Sequence, residues 1–209
     1  MRITKDMLGT TCTNPGIEPT KQQVEECSDK LSEFFYRHEG VHKTELSSKF
    51  LPTLARRRLD VKLGRDSGIK EAETGAAMFG NVGVGKTMLL KLSAFCLDAD
   101  YFDVPSLSIM FSVKGPDAFW ASVDGVGAKS DLILDDLGAE ADSRNYGNSV
   151  PIIDLLYHRY NLWKNYGYRI WIGSNLSSSE LIDRYGERAV DRIKEMCEII
   201  PCTGDSMRK

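Results

Sequence analysis

Between Thr20 and Arg37 the apolar positions Val24, Cys27, Leu31, Phe34 and Phe35 recur at helical spacing, with Thr20 placed to cap the start and Gly40 to stop it. This predicts one amphipathic helix, whose aromatic stripe must be buried against a core or a partner protein. The stretch before it, Met1 to Pro19, has no period and reads as an irregular arm. Thr44 to Leu59 reads as a second helix broken near Pro52, and Gly64 to Gly75 as a turn-rich lead into the main part of the chain. From Ala76 the pattern changes to short apolar runs separated by helical stretches. The runs are Ala76 to Phe79, Leu107 to Phe111, Leu132 to Leu134, Arg169 to Ile172 and Glu198 to Ile200. They lack strict polar alternation, which suits strands covered on both faces, hence a parallel sheet in a three-layer α/β domain. Between Phe111 and Asp131, Gly115, Pro116, Gly125 and Gly127 leave little room for continuous helix. Polar residues that act on a ligand should sit beyond the C-terminal ends of the strands.

A chain of 209 residues with 42% hydrophobic and 27% charged residues is a folded protein with one sizeable core plus a short appendage. The start carries no apolar run, and no window approaches the roughly 18 apolar residues of a membrane span, so a cytoplasmic location is expected. Cys12, Cys27, Cys96, Cys197 and Cys202 have no CxxC spacing, which favours neither a zinc site nor a disulfide framework. Net charge is -3, so any nucleic-acid contact must be local. The local segment is Leu54 to Arg65, where Arg56, Arg57, Arg58, Lys62 and Arg65 stand among leucines. They either contact a phosphate backbone or form a solvated helix face or linker.

The densest chemistry lies at Gly80-Asn81-Val82-Gly83-Val84-Gly85-Lys86-Thr87, which satisfies GxxxxGK[ST] between an apolar run and a helix-like stretch. Glycines let the loop bend so that successive N–H groups face phosphates, and the following helix presents its positive end. Lys86 then neutralises the β- and γ-phosphates of ATP, and the Thr87 hydroxyl ligates Mg²⁺. A second element, Asp131-Leu132-Ile133-Leu134-Asp135-Asp136, is an apolar strand ending in two carboxylates. Asp135 is placed to hold Mg²⁺ and Asp136 to polarise the attacking water, with a turn-capping Asp136 and Glu140 as base the alternative. Asn175, in Gly173-Ser174-Asn175, either bonds the γ-phosphate and the water or caps the next helix. Arg188 and Arg192 are four residues apart and share one helical face, suited to the charge on a transferred phosphoryl or to surface ion pairs.

In order along the chain, these motifs resemble the additional-strand P-loop ATPases of the AAA+ class, and within them the DnaC/IstB-like helicase loaders and insertion-sequence helper ATPases. Gly80 to Thr87 is similar to their Walker A, Leu132 to Glu140 to Walker B, Asn175 to the first sensor, and Gly186 to Arg192 to the arginine-finger box. The end, GDSMRK, is similar to their second-sensor signature. The resemblance implies a five-stranded parallel sheet in the order 5-1-4-3-2 over residues 66–209, preceded by an arm and helical extension over 1–65. It further implies Arg192 as a finger acting on a neighbouring subunit's nucleotide, Arg188 as its assistant, Arg159 as another trans contact, and Arg208 as a sensor of the bound nucleotide. The expected function is an ATP- and Mg²⁺-dependent ATPase that forms homo-oligomers on DNA and positions a helicase or transposase. The competing expectation is a nucleotide-dependent adaptor that holds a partner on the Phe34 and Phe35 face with little turnover.

Overall fold

The computed structural model describes residues 19–39, 44–62, 74–124, 131–140, 144–145, 148–149, 151–204 and 206. Helix α1 (Lys21–Glu39) begins at a reciprocal cap, in which Gln23 N donates to Thr20 Oγ1 and Thr20 N to Gln23 Oε1. Helix α2 (Glu45–Lys62) runs unbroken through Pro52, against the expected break. Pro52 is exposed, while Phe50, Leu51, Leu54, Ala55 and Leu59 are buried along the other side. Several buried side chains, each worth about 1.5–3 kcal/mol, outweigh the roughly 3 kcal/mol cost of one interior proline.

Strand β1 (Gly75–Gly80) leads into α3 (Lys86–Leu97), then β2 (Asp100–Asp103), α4 (Val104–Lys114), α5 (Pro116–Asp124) and β3 (Leu132–Asp135). A short antiparallel pair, β4 (Arg144–Asn145) and β5 (Asn148–Ser149), precedes α6 (Ile152–Tyr166) and β6 (Ile170–Ser174). Helices α7 (Ser178–Tyr185) and α8 (Glu187–Met196) and strand β7 (Cys197–Cys202) complete the chain. The five long-range strands are all parallel, in the order β2-β3-β6-β1-β7. Counted along the chain this is the expected 5-1-4-3-2 read from the other edge. Pro201 sits in β7, at one edge of the sheet.

The second strand is a correction. Leu107 to Phe111, expected as a strand, lies inside α4, and the strand is Asp100–Asp103. Asp103 caps α4 by accepting from Ser106 N at 2.9 Å and Ser106 Oγ at 2.6 Å, and Pro105 occupies the first turn. Val104, Leu107, Ser108 and Phe111 are buried at helical spacing, while Ile109 in the same run is exposed. The span thought too broken for helix holds α5, anchored by edge-to-face contact of Phe119 with Phe111.

Residues alternate between the two faces of the sheet. Ala77, Phe79, Leu132, Leu134, Ile170 and Ile172 pack under the α4–α8 side, and Ala76, Met78, Ile133, Trp171 and Ile200 under α1, α2 and α3. The aromatic stripe of α1 is therefore spent inside the molecule: Phe35 is buried and Phe34 stacks on Phe95 of α3, ring centres 6.2 Å apart. The adaptor reading loses the surface it relied on. None of the described cysteines is in a disulfide, and no helix among the described residues is long and apolar enough to cross a membrane. The turn-rich lead at 64–73, the boundary at residues 65 and 66, and most of the arm lie outside the described residues.

Candidate nucleotide site

Parallel pairing brings the strand ends to one edge: Asp103 lies in register with Asp135, and Ser174 with Phe79 just before the glycine loop. Between β1 and α3 the loop closes on Gly85, which caps the helix at φ 99°, a left-handed backbone that a side chain resists. Successive N–H groups of such a loop can converge on one anion. Lys86 is buried, and its ammonium donates to the loop carbonyls of Gly80 at 2.8 Å and Asn81 at 2.6 Å. Asn81 Nδ2 donates to the carbonyl of Gly204, while Val82 stands half exposed.

Gly83, Gly85, Lys86, Thr87, Met88, Asp136 and Asn175 line one cleft of about 180 Å³. Asp136 takes the left-handed conformation, φ 55°, and its Oδ1 accepts from Asn175 Nδ2 at 3.0 Å. Its carboxyl is pushed above the ordinary aspartate value, first by burial and then by Asp135 and Asp103, against the opposing Asn175 bond and Lys86 charge. Asn175 is not the cap of α7. That role falls to Ser177, in a reciprocal capping box with Glu180. The turn after β3 is tied to β6 by Leu137 N to Gly173 O at 2.8 Å and Ser174 Oγ to Leu137 O at 2.6 Å.

Glu140 stands elsewhere. Its carboxylate accepts from Tyr185, from Arg184 Nε at 3.0 Å and from Gly138 N at 2.9 Å, so it braces the turn. Of the two carboxylates weighed for the base, Asp136 lines the cleft. Asp135 is buried at the end of β3, where it accepts from Tyr101 at 2.7 Å and from Asp136 N at 3.0 Å. The hydroxyl of Thr87 and the carboxylate of Asp135 are hard oxygen donors, a set that fits Mg²⁺. No cluster of three or more acidic, His or Cys side chains able to hold a metal occurs among the described residues.

The arginines divide. Arg188 and Arg192 on α8 line a second cleft of about 590 Å³ with Tyr157, Tyr160, Asn161, Asp191 and Glu195, sharing no residue with the first. Arg192 bonds Tyr160 and Glu195. Arg159, expected to reach a neighbour, is 1% exposed and donates to the Arg169 carbonyl at 3.1 Å, so it is an interior residue. In the basic segment, Arg57 is also interior: it bonds Asp131 at 2.6 Å, both side chains 2% exposed, and Trp171 Nε1 donates to the same carboxylate. Arg58 is buried as well, which removes both from contact with DNA. Arg56 is exposed and lines a cleft of about 810 Å³ with Lys21, Lys49, Arg169 and Glu198. Lys62 lies in α2; Arg65 and Arg208 are outside the described residues.

Sequence reasoning missed Tyr101 and Asp103, because their strand was assigned to the following helix. The Tyr185 and Arg184 brace on Glu140 and the Tyr160 partner of Arg192 join elements far apart in sequence, and no local pattern announces them.

A parallel sheet of this order, with the glycine loop after β1 and the acidic pair ending β3, is the α/β fold of P-loop NTPases. Its helices and strands match a crystal structure of DnaI with a TM-score of 0.59 and 21% identity, over 81% of this chain and 89% of that one. A DnaC helicase loader matches at 0.55 and 24% identity, over 79% and 95%. AMPPCP-bound DnaA from Aquifex aeolicus matches at 0.56 and 16%, over 78% of this chain and 48% of that one. The five-stranded parallel sheet and P-loop fold that the motif resemblance implied are thus shared with these structures. No family model and no curated protein matches the sequence.

Proposed function

We propose that this protein is an ATP-binding and ATP-hydrolysing AAA+ protein that assembles with copies of itself on DNA and positions a helicase or transposase. The observation that carries the enzymatic part is the meeting of Lys86 and Thr87, Asp136 and Asn175 in one cleft from three separate places in the sequence. Lys86 exchanges its loop carbonyls for the β- and γ-phosphate oxygens of ATP, and the loop N–H groups take the remaining charge. Thr87 and Asp135 hold Mg²⁺, which supplies charge neutralisation at the β- and γ-oxygens. Asp136 accepts the proton of the attacking water, and its raised pKa makes it a stronger base than an ordinary aspartate. Asn175 orients that carboxylate and offers a donor near the γ-phosphate.

Arg192, assisted by Arg188, acts on the nucleotide of an adjacent copy, a reading supported by their placement in a cleft apart from this chain's own loop. The helicase-positioning role is supported by likeness of fold to a DnaC helicase loader, and the DNA contact by the exposed Arg56 cleft. Phosphate release from ATP, measured with and without single-stranded DNA, tests the proposal. Hydrolysis stimulated by DNA upholds it; ATP binding without hydrolysis in either condition leaves only nucleotide-dependent binding.

A further inference from the structure

Strand β2 does more than close the sheet edge. In its parallel pairing with β3, Tyr101 lies opposite Ile133 and Asp103 opposite Asp135, so Tyr101 is two residues behind the acidic end of the neighbouring strand. From there its hydroxyl reaches forward to Asp135 Oδ2 at 2.7 Å. The other oxygen, Oδ1, accepts from Asp136 N at 3.0 Å. Behind it the backbone of Gly173 comes so close that a Cβ there would stand 2.8 Å from Oδ1 and 2.8 Å from Leu90 Cδ1. A carboxylate bonded at both oxygens, walled on one side and 2% exposed has one orientation.

An ionised carboxylate only accepts, so the Tyr101 proton must be donated to Asp135. The bond has work to do here. Asp103 lies opposite Asp135 in register and Asp136 follows it in sequence, so like charge on both sides favours turning the Asp135 carboxylate away. A single neutral donor on Oδ2 opposes that turn and leaves the other lone pairs of Asp135 for water or a cation.

We infer that Tyr101 is a positioning residue for Asp135, fixing the edge of that carboxylate turned to the divalent cation and thereby setting how tightly the cation is held. The inference rests on the Mg·ATP reading of the cleft. Partners that orient a metal's carboxylate commonly control affinity by roughly tenfold or more when lost.

The test is Tyr101→Phe, which deletes the hydroxyl and keeps the ring beneath Lys91, whose ammonium lies 5.9 Å from its centre. Mn²⁺ is titrated into protein with a non-hydrolysable ATP analogue and followed by electron paramagnetic resonance. Analogue affinity is measured in parallel in EDTA. The expected result is Mn²⁺ binding weakened about tenfold, with the metal-free nucleotide affinity unchanged, since the Tyr101 hydroxyl bonds Asp135 while Lys86 bonds the loop carbonyls of Gly80 and Asn81. Unchanged Mn²⁺ affinity overturns the inference. So does an equal loss in EDTA, which would mean that the substitution only loosens the fold. If the unaltered protein binds the analogue but shows no Mn²⁺ site, the Mg·ATP reading itself fails and takes the inference with it.

Discussion

The guanidinium of Arg192 lies 4.3 Å from the ring centre of Tyr160 and donates to its hydroxyl at 3.0 Å. Glu195 ties the two together, accepting from Tyr160 at 2.7 Å and from Arg192 at 2.5 Å. Its carboxyl is held below the usual range, first by the Tyr160 bond, with burial opposing and Arg192 adding to the lowering. Helix α8 thus presents an arginine held in place by Tyr160 and Glu195, and the proposed action on a neighbouring copy's nucleotide requires that it leave them.

Arg192→Ala is expected to bind ATP as the unaltered protein does and to hydrolyse it at least about tenfold more slowly, equivalent to roughly 1.4 kcal/mol of transition-state stabilisation. Mixing it with Asp136→Asn restores part of the activity, because some interfaces then pair an intact arginine with an intact carboxylate. Turnover is measured at concentrations where sedimentation detects ATP-dependent assembly. Full activity of the single variant removes Arg192 from the site, and mixed oligomers without rescue make it a residue of the same chain's site.

Lys86→Ala should weaken ATP binding by about tenfold to a hundredfold, the range for losing a charge-assisted hydrogen bond of about 1.5–3 kcal/mol. Calorimetric titration reads this directly. Equal affinity in the variant would move the phosphates away from the glycine loop.

Asp136→Asn should keep ATP binding and lose turnover. The raised pKa of Asp136 places the acidic limb of the rate profile above the ordinary aspartate range, and Asn175→Ala should move it higher still, because the Asn175 bond lowers that pKa. The same shift fixes a sign for stability. A carboxyl whose folded pKa is raised costs stability once ionised, so Asp136→Asn should melt higher at neutral pH. That gain should vanish below the unfolded pKa, where both side chains are neutral. Melting curves at several pH values check it, and a gain that persists in acid rejects the electrostatic cause.

Arg57 and Arg56 are adjacent but answer to different forces. Arg57→Ala strands the buried Asp131 and should cost about 3–5 kcal/mol in urea unfolding. Any DNA-binding defect it shows is an unfolding defect. Arg56→Glu should leave the melting curve nearly unchanged while lowering the salt slope of DNA binding by about one phosphate contact. Identical slopes would assign the Arg56 cleft to something other than DNA.

The glycine loop and the acidic pair were readable because phosphate chemistry demands those residues at fixed local spacing, and the sheet order followed from the resemblance. The second strand was misplaced because Leu107 to Phe111 is apolar apart from Ser108 and satisfies either period; the signal that decides it is Asp103 three residues before Ser106, with Pro105 between. Pro52 misled in the opposite sense, since local propensity was overridden by the buried face of α2. Arg57 and Arg159 looked like surface cations because a sequence displays charge but not the distant Asp131 or the Arg169 carbonyl that permits burial. Tyr101 carried no signal at all.

Both rims of the sheet are guarded against a newcomer. On one side β2 is only four residues long and has an aspartate at each end. On the other, β7 carries Pro201, whose missing N–H spoils the outer row of donors that an added strand would need. Both edges thus disfavour joining copies of this chain by extending one sheet into the next. Any ring or filament they build is then joined through side chains, which can be re-paired one at a time, and such joints can slip, tilt and reopen as each nucleotide is used.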